Sequence, residues 1–118
     1  ANVLLGFSNG ARGILYASQI SAGEENNLKI RVYGEHGSLE WAQMEPNSLI
    51  VRWIDKPMQI YRTGGPDVCE ASLACTRLPS GHPEGYIEAF ATIYRNVAIC
   101  IHAARRGKRA EAHDYDLH

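Results

Sequence analysis

The chain has 118 residues and a formal net charge of −1, from 12 basic and 13 acidic side chains. This length suits one domain with one core. The balanced charge argues against nucleic acid as a partner, because such binding depends on a basic excess. No apolar run approaches the ~20 residues of a membrane-spanning helix, so no membrane partner is expected.

Six short strands are predicted in the first half of the chain. They cover residues 2–7, 12–20, 28–33, 38–43, 49–54 and 58–62. In the third strand, for example, Leu28, Ile30 and Val32 alternate with larger polar side chains. The connections are short and rich in turn residues, such as the segment between Gly34 and Gly37, which predicts antiparallel neighbours. Residues 63–78 lack periodicity, and both a short helix and an irregular crossing remain open.

A long helix is predicted from Pro83 to a stop at Gly107. Proline and Glu84 both suit a first helical turn, and glycine is typical just beyond a helix end. The apolar stripe of this helix comprises Ile87, Phe90, Tyr94, Val97 and Ile101. We expect this stripe to cover the sheet. The predicted fold is therefore α+β, with a largely antiparallel open sheet of about six strands covered on one face by the C-terminal helix. Residues 108–118 are predicted to form a polar tail.

One face of the sheet is predicted to be mixed polar and aromatic. Its members are Tyr16, Arg31, Tyr33, Glu40 and Arg52. Such a face groups more aromatic and charged side chains than an ordinary solvated surface does. This composition favours a protein interface. The alternative is that these side chains are scattered surface groups of a monomer.

The cysteines do not indicate a disulfide framework or a zinc site. Cys69, Cys75 and Cys100 are odd in number and unevenly spaced. We expect reduced thiols in a cytoplasmic protein. No pair of histidines or cysteines has a convincing metal-ligand spacing, so no metal site is predicted.

Four segments together resemble the Gfo/Idh/MocA oxidoreductases, named after glucose-fructose oxidoreductase and inositol dehydrogenase. They are residues 7–13, 34–41, 45–47 and 79–94. The most specific combination is Gly-Glu-x-Gly-Ser-Leu, beginning at Gly34, with a later Gly-His-Pro-Glu-Gly-Tyr, beginning at Gly81. The resemblance is to the C-terminal α/β domain of the family and covers most of residues 2–107.

The resemblance implies a two-domain parent enzyme that oxidises or reduces a sugar, inositol or related polyol with NAD or NADP. Its N-terminal Rossmann domain would bind the cofactor. Its C-terminal domain would supply a wall of the substrate pocket and an open sheet that forms a homodimer or a higher oligomer. This chain has no Gly-x-Gly-x-x-Gly after a strand. We therefore expect residues 1–107 to be a partial C-terminal domain, truncated at both ends, that binds no cofactor and is inactive alone. The alternative is a self-standing, non-catalytic binding or assembly module.

His82 is the candidate substrate-binding residue. Its place before Pro83 predicts a position at the helix N-terminus, where the dipole favours a neutral imidazole. A neutral ring can accept or donate a hydrogen bond to a substrate hydroxyl. A capping or structural role is the alternative. Glu84 and Tyr86 are weaker candidates, because first-turn stabilisation and core packing explain them. Lys56, between an aspartate and a proline, resembles the family's catalytic Glu-Lys-Pro lysine only superficially, and an ordinary turn is expected there.

Overall fold

The computed structural model describes residues 1–108. Six strands precede two helices: β1 (Asn2–Gly6), β2 (Arg12–Tyr16), β3 (Lys29–Tyr33), β4 (Gly37–Ala42), β5 (Ser48–Trp53), β6 (Gln59–Arg62), α1 (Glu70–Cys75) and α2 (Tyr86–Arg105). The predicted α+β class, with antiparallel strands and a long C-terminal helix, is confirmed. The segment left open by the sequence contains the short helix α1. Of the predicted tail, residues 109–118 lie outside the described residues.

The six strands form two antiparallel sheets. β1 and β2 make a two-stranded sheet, while β3, β4, β5 and β6 follow one another in a four-stranded sheet. In the larger sheet Arg31 lies opposite Glu40, and Glu40 lies opposite Ile50. Because side chains alternate between the faces of a strand, this register determines which residues share a face.

Gly37 permits a close approach between β4 and β5. A Cβ atom at this position would lie 2.5 Å from the main-chain oxygen of Arg52. Any other residue would push the strands apart at the start of β4. In the connection between β3 and β4, the Gly34 amide donates to the Gly37 carbonyl at 2.9 Å.

Helix α2 begins later than predicted. Its N-cap is Gly85, whose amide donates to the Glu88 carboxylate at 2.8 Å. The prediction that Pro83 and Glu84 lie in the first turn is wrong, because the main-chain groups of Glu84 are bonded to another part of the protein. The predicted stop is confirmed, since Gly107 adopts a left-handed φ of +67° just after the helix.

The apolar stripe of α2 faces outward. Ile87 is 77% exposed and Tyr94 is 70% exposed, so the prediction that this stripe covers the sheet is wrong. The less exposed face of the helix carries mainly small and polar side chains: Glu88, Ala91, Thr92, Asn96, Ile99, Cys100 and Ala103. From this face the Thr92 hydroxyl bonds to the segment that follows α1, accepting from the Arg77 guanidinium at 3.3 Å. Small side chains suit this close contact between helix and loop.

The described residues sequester little apolar surface. Within residues 1–108, Val51 on β5 is the one buried apolar side chain and Asn96 on α2 is the one buried polar side chain. On the small sheet, Leu4 and Ile14 are 83% and 78% exposed. A folded domain normally packs several apolar side chains around a shared core. These exposed apolar surfaces are therefore available for contacts with other protein segments or subunits.

Candidate functional site

The segment that carries His82 is a tight turn. The His82 amide donates to the Pro79 carbonyl at 3.2 Å, which closes a four-residue turn. Gly81 has a φ of +87° at the third position of this turn, where a left-handed conformation favours glycine. The turn therefore needs Gly81 immediately before the histidine. It sets the backbone position from which the His82 side chain extends.

The imidazole of His82 is exposed and is held at one nitrogen. Nδ1 lies 3.1 Å from the Pro79 carbonyl oxygen. A carbonyl can only accept, so this bond places the proton on Nδ1 and leaves the Nε2 lone pair of a neutral ring open as an acceptor. Within residues 1–108, no side chain or main-chain group bonds to Nε2. Such an arrangement can receive a hydrogen bond from a hydroxyl group.

His82 does not lie at the helix N-terminus as predicted. It precedes the N-cap Gly85 by three residues, and the helix-dipole argument therefore does not apply to it. The capping alternative is not what the geometry shows either, because the Glu88 carboxylate accepts the Gly85 amide. This bond lowers the pKa of Glu88, since a donated N–H favours the charged carboxylate. The structural partner of His82 is instead the Pro79 carbonyl.

Glu84 joins two segments that the sequence does not relate. Its Oε1 atom accepts the amides of Arg77 and Leu78 at 2.7 and 2.8 Å. Its own amide donates to Asn47 Oδ1 at 2.9 Å, and its carbonyl accepts Asn47 Nδ2 at 2.8 Å. Glu84 is thus a connecting residue of the turn rather than a first-turn helix residue.

Asn47 is anchored to the four-stranded sheet. Its carbonyl accepts the Thr63 amide at 3.1 Å just beyond β6. The preceding Pro46 carbonyl accepts the indole N–H of Trp41, on β4, at 2.9 Å. The loop between β4 and β5 is therefore tied to strands on both sides, and Asn47 extends from it to the turn of His82. Sequence reasoning missed this role, and only the family resemblance at residues 45–47 pointed to the segment.

Tyr86 is not in a core, contrary to the prediction. Its side chain is 76% exposed, and its ring lies 4.6 Å from that of Phe90, tilted by 41°. The two rings form an aromatic surface at the start of α2, close in sequence to His82. Such pairs prefer tilted or offset arrangements over face-to-face stacking. Tyr86 is therefore available for contacts with a ligand or with another part of the protein.

Lys56 lies in the turn between β5 and β6, as predicted. Its Nζ atom is 5.3 Å from the centroid of the Trp53 ring, a cation–π contact of a surface lysine. The ammonium group is therefore occupied by an ordinary structural contact, in keeping with the prediction of a turn.

Four of the five predicted interface residues share one face of the large sheet. Glu40 accepts Arg31 at 3.0 Å and Arg52 at 2.6 Å, and its side chain is only 18% exposed. These bonds, from Arg52 first and then Arg31, lower the pKa of Glu40. Tyr33 lies beside them and is 73% exposed. Tyr16 lies apart, on β2 of the two-stranded sheet.

The start of α2 does not fit the pyrophosphate of a dinucleotide cofactor. A pyrophosphate needs free amides at a helix N-terminus, but at the start of α2 the Glu88 carboxylate occupies the Gly85 amide. A second anion there would be repelled. Among residues 1–108 no three histidine, cysteine or acidic side chains are grouped to hold a metal ion. No helix in this described part has the length and apolar character needed to cross a membrane.

Comparison with known proteins finds similarity to oxidoreductases. No family model matches the chain. The uncharacterized oxidoreductase YfiI of Bacillus subtilis (strain 168) is 39% identical over 109 residues, which are 90% of this chain and 27% of that protein. A solved oxidoreductase from Sinorhizobium meliloti is 44% identical, with a TM-score of 0.77 over 81% of this chain and 27% of its own.

An inositol dehydrogenase homolog from Azotobacter vinelandii is also similar. Its complex with NAD⁺ has a TM-score of 0.84 and 34% identity, covering 90% of this chain and 27% of that chain. Its complex with NADH and myo-inositol has a TM-score of 0.83 at the same identity. The chain thus spans between a quarter and a third of the length of the proteins it matches. These similarities match it to one part of an oxidoreductase.

Proposed function

We propose that this chain is the C-terminal part of an NAD(P)-dependent oxidoreductase of the Gfo/Idh/MocA type, acting on a sugar, an inositol or a related polyol. The observation that carries the proposal is the similarity over 90% of the chain to an inositol dehydrogenase homolog solved with NADH and myo-inositol. The sequence resemblance at residues 34–41 and 79–94 supports the assignment to this family.

The contribution of this chain to the reaction would be substrate binding. In the proposed site, a substrate hydroxyl donates a hydrogen bond to Nε2 of His82, whose other nitrogen is held by Pro79. Fixing one hydroxyl would orient the carbinol carbon of the substrate for hydride exchange, the chemistry that a bound nicotinamide would supply. The cofactor would be bound by another part of the protein, because the start of α2 offers no free Gly85 amide for a pyrophosphate.

The exposed apolar surface supports a larger protein over a self-standing module. Within the described residues only Val51 is a buried apolar side chain, whereas Leu4, Ile14 and Ile87 are each more than three-quarters exposed. A module that functions alone would be expected to cover such side chains. We propose that they contact other parts of the parent enzyme or other subunits.

We propose that the sheet face of Arg31, Tyr33, Glu40 and Arg52 forms a homo-oligomer interface. A two-fold axis would pair this face with the same face of a second copy. Glu40 already balances one of the two arginines, so the face combines a small net positive charge with an exposed aromatic ring. Tyr16 is not included, because it lies on the other sheet.

The proposal is tested with the complete protein that contains this chain. Purified protein is mixed with NAD⁺ or NADP⁺ and with myo-inositol or a panel of sugars and polyols, and formation of reduced nicotinamide is followed by absorbance. We expect turnover with the complete protein and none with residues 1–118 alone. Turnover by the isolated chain, or no turnover by the complete protein with any member of the panel, would overturn it.

A further inference from the structure

We propose that Asn47 is a positioning residue for His82 and acts through Glu84. This inference rests on the proposed role of His82 as a substrate contact. It assigns a function to a side chain that lies on a different loop, 37 residues before Glu84 in the sequence.

The bond pattern between Asn47 and Glu84 is specific to an asparagine. The amide side chain donates through Nδ2 to the Glu84 carbonyl at 2.8 Å and accepts through Oδ1 from the Glu84 amide at 2.9 Å. One planar group therefore satisfies both main-chain polar groups of one residue. Both bonds are partly buried, where water competes less for the donor and acceptor.

Glu84 connects to the other end of the turn as well. Its carboxylate accepts the amides of Arg77 and Leu78, directly before Pro79. The Glu84 side chain thus bonds to the residues before the Pro79–His82 turn. The Glu84 main chain, which follows the turn, bonds to Asn47. Of the hydrogen bonds that the structure describes, those joining residues 79–84 to the sheet pass through Asn47.

The consequence for His82 is geometric. The imidazole is exposed, and its one described bond is to Pro79, within the same turn. Local bonds therefore set the ring relative to the turn, while Asn47 sets the turn relative to the sheet. Since a displacement of about 1 Å can cost about 100-fold in rate, loosening Asn47 should affect the substrate as if His82 had been moved.

The test uses the complete enzyme and the variants Asn47→Asp, His82→Ala and the double variant. Asn47→Asp is isosteric and keeps the acceptor, but it sets an oxygen against the Glu84 carbonyl in place of a donor. We expect kcat/KM to fall at least about tenfold. In the His82→Ala background the same change should cost less than about twofold, because positioning has no effect once the ring is gone. Equal losses in both backgrounds would overturn the inference and indicate a general structural role.

A matched control is Asn26→Asp, on an exposed loop residue whose side chain has no described bond. It should leave kcat/KM within about twofold of the wild type. Rescue provides a second check at the other partner. Glu84→Gln retains an oxygen acceptor for the Arg77 and Leu78 amides and should keep more activity than Glu84→Ala.

Two measurements test the inference without turnover. Hydrogen exchange of the peptide covering residues 77–88 should speed up in Asn47→Asp and stay unchanged in Asn26→Asp. The ring signal of His82, observed in ¹⁵N-histidine-labelled protein, should shift or broaden in Asn47→Asp alone. An unchanged signal would overturn the inference. An enzyme without turnover but with these changes would instead refute the proposed function and leave the positioning contact established.

Discussion

Asn47 holds both main-chain polar groups of Glu84, at 2.9 Å and 2.8 Å. Glu84, bonded in this way, lies outside α2, which begins at Tyr86. It also connects the loop after β4 to the segment that carries His82. A single asparagine therefore joins the four-stranded sheet to the segment of the candidate site.

Removing this pairing should destabilise the protein measurably. Asn47→Ala deletes two partly buried hydrogen bonds and leaves the Glu84 amide and carbonyl without them, at a cost of about 1–3 kcal/mol. Urea denaturation followed by the fluorescence of Trp41 and Trp53 would report it. The control Asn26→Ala should change the free energy of unfolding by less than about 0.5 kcal/mol. Equal effects of the two variants would contradict the contact.

The sequence predicted local structure well where periodicity was clear. The alternation of Ile30 and Val32 with charged neighbours led to β3, and Gly107 marked the end of α2. The start of α2 could not be predicted, because it depends on a contact with Asn47 that is distant in sequence. The orientation of the helix failed for a related reason: its inner face is bonded to the segment after α1, which had no readable pattern.

The candidate site was predicted in residue identity more than in geometry. His82 was singled out because its place before Pro83 predicted a position at the helix N-terminus, yet the helix begins at Tyr86 and Glu84 serves a different purpose. Tyr16 was grouped with the charged face from its residue type, since strand pairing across a loop cannot be read from one sequence. Asn47 gave no local signal, because its partner lies 37 residues away.

The pair of arginines around Glu40 should make stability depend on pH. The folded state lowers the pKa of Glu40, so its stabilisation is complete above the unfolded value of about 4.3 and is lost as pH falls through the folded value. Wild type and Glu40→Gln should therefore differ in stability at pH 7 and converge at low pH. The exposed control Glu45→Gln should not show this convergence. A difference between wild type and Glu40→Gln that persists below pH 3 would argue against the ion pairs.

A charge placed on the proposed interface should dissociate the oligomer. Tyr33→Asp would bury a carboxylate against the partner copy, and we expect the dissociation constant to rise at least about 30-fold. Analytical ultracentrifugation of the complete protein measures this directly. Asn26→Asp is the control, because it adds a carboxylate to an exposed loop outside this face and should leave assembly intact. A wild type that is monomeric at high concentration would refute the interface.

Val51 should contribute more to stability than Val32, the other valine of the large sheet. It is 6% exposed, and Val51→Ala removes two methyl groups from the interior, for about 2 kcal/mol. Val32→Ala makes the same change on β3 at a position that is 53% exposed, and it should cost less than about 1 kcal/mol. Urea denaturation compares the two. Similar losses of stability in the two variants would contradict the burial of Val51.

The most direct test of the account is the effect of His82 on substrate turnover in the complete enzyme. Loss of one hydrogen bond to a substrate hydroxyl should reduce kcat/KM of His82→Ala about tenfold or more, measured with the best sugar or polyol substrate. His36→Ala, at an exposed histidine in the connection between β3 and β4, should remain within about twofold of the wild type. An unchanged kcat/KM in His82→Ala would contradict the proposal that His82 contacts the substrate.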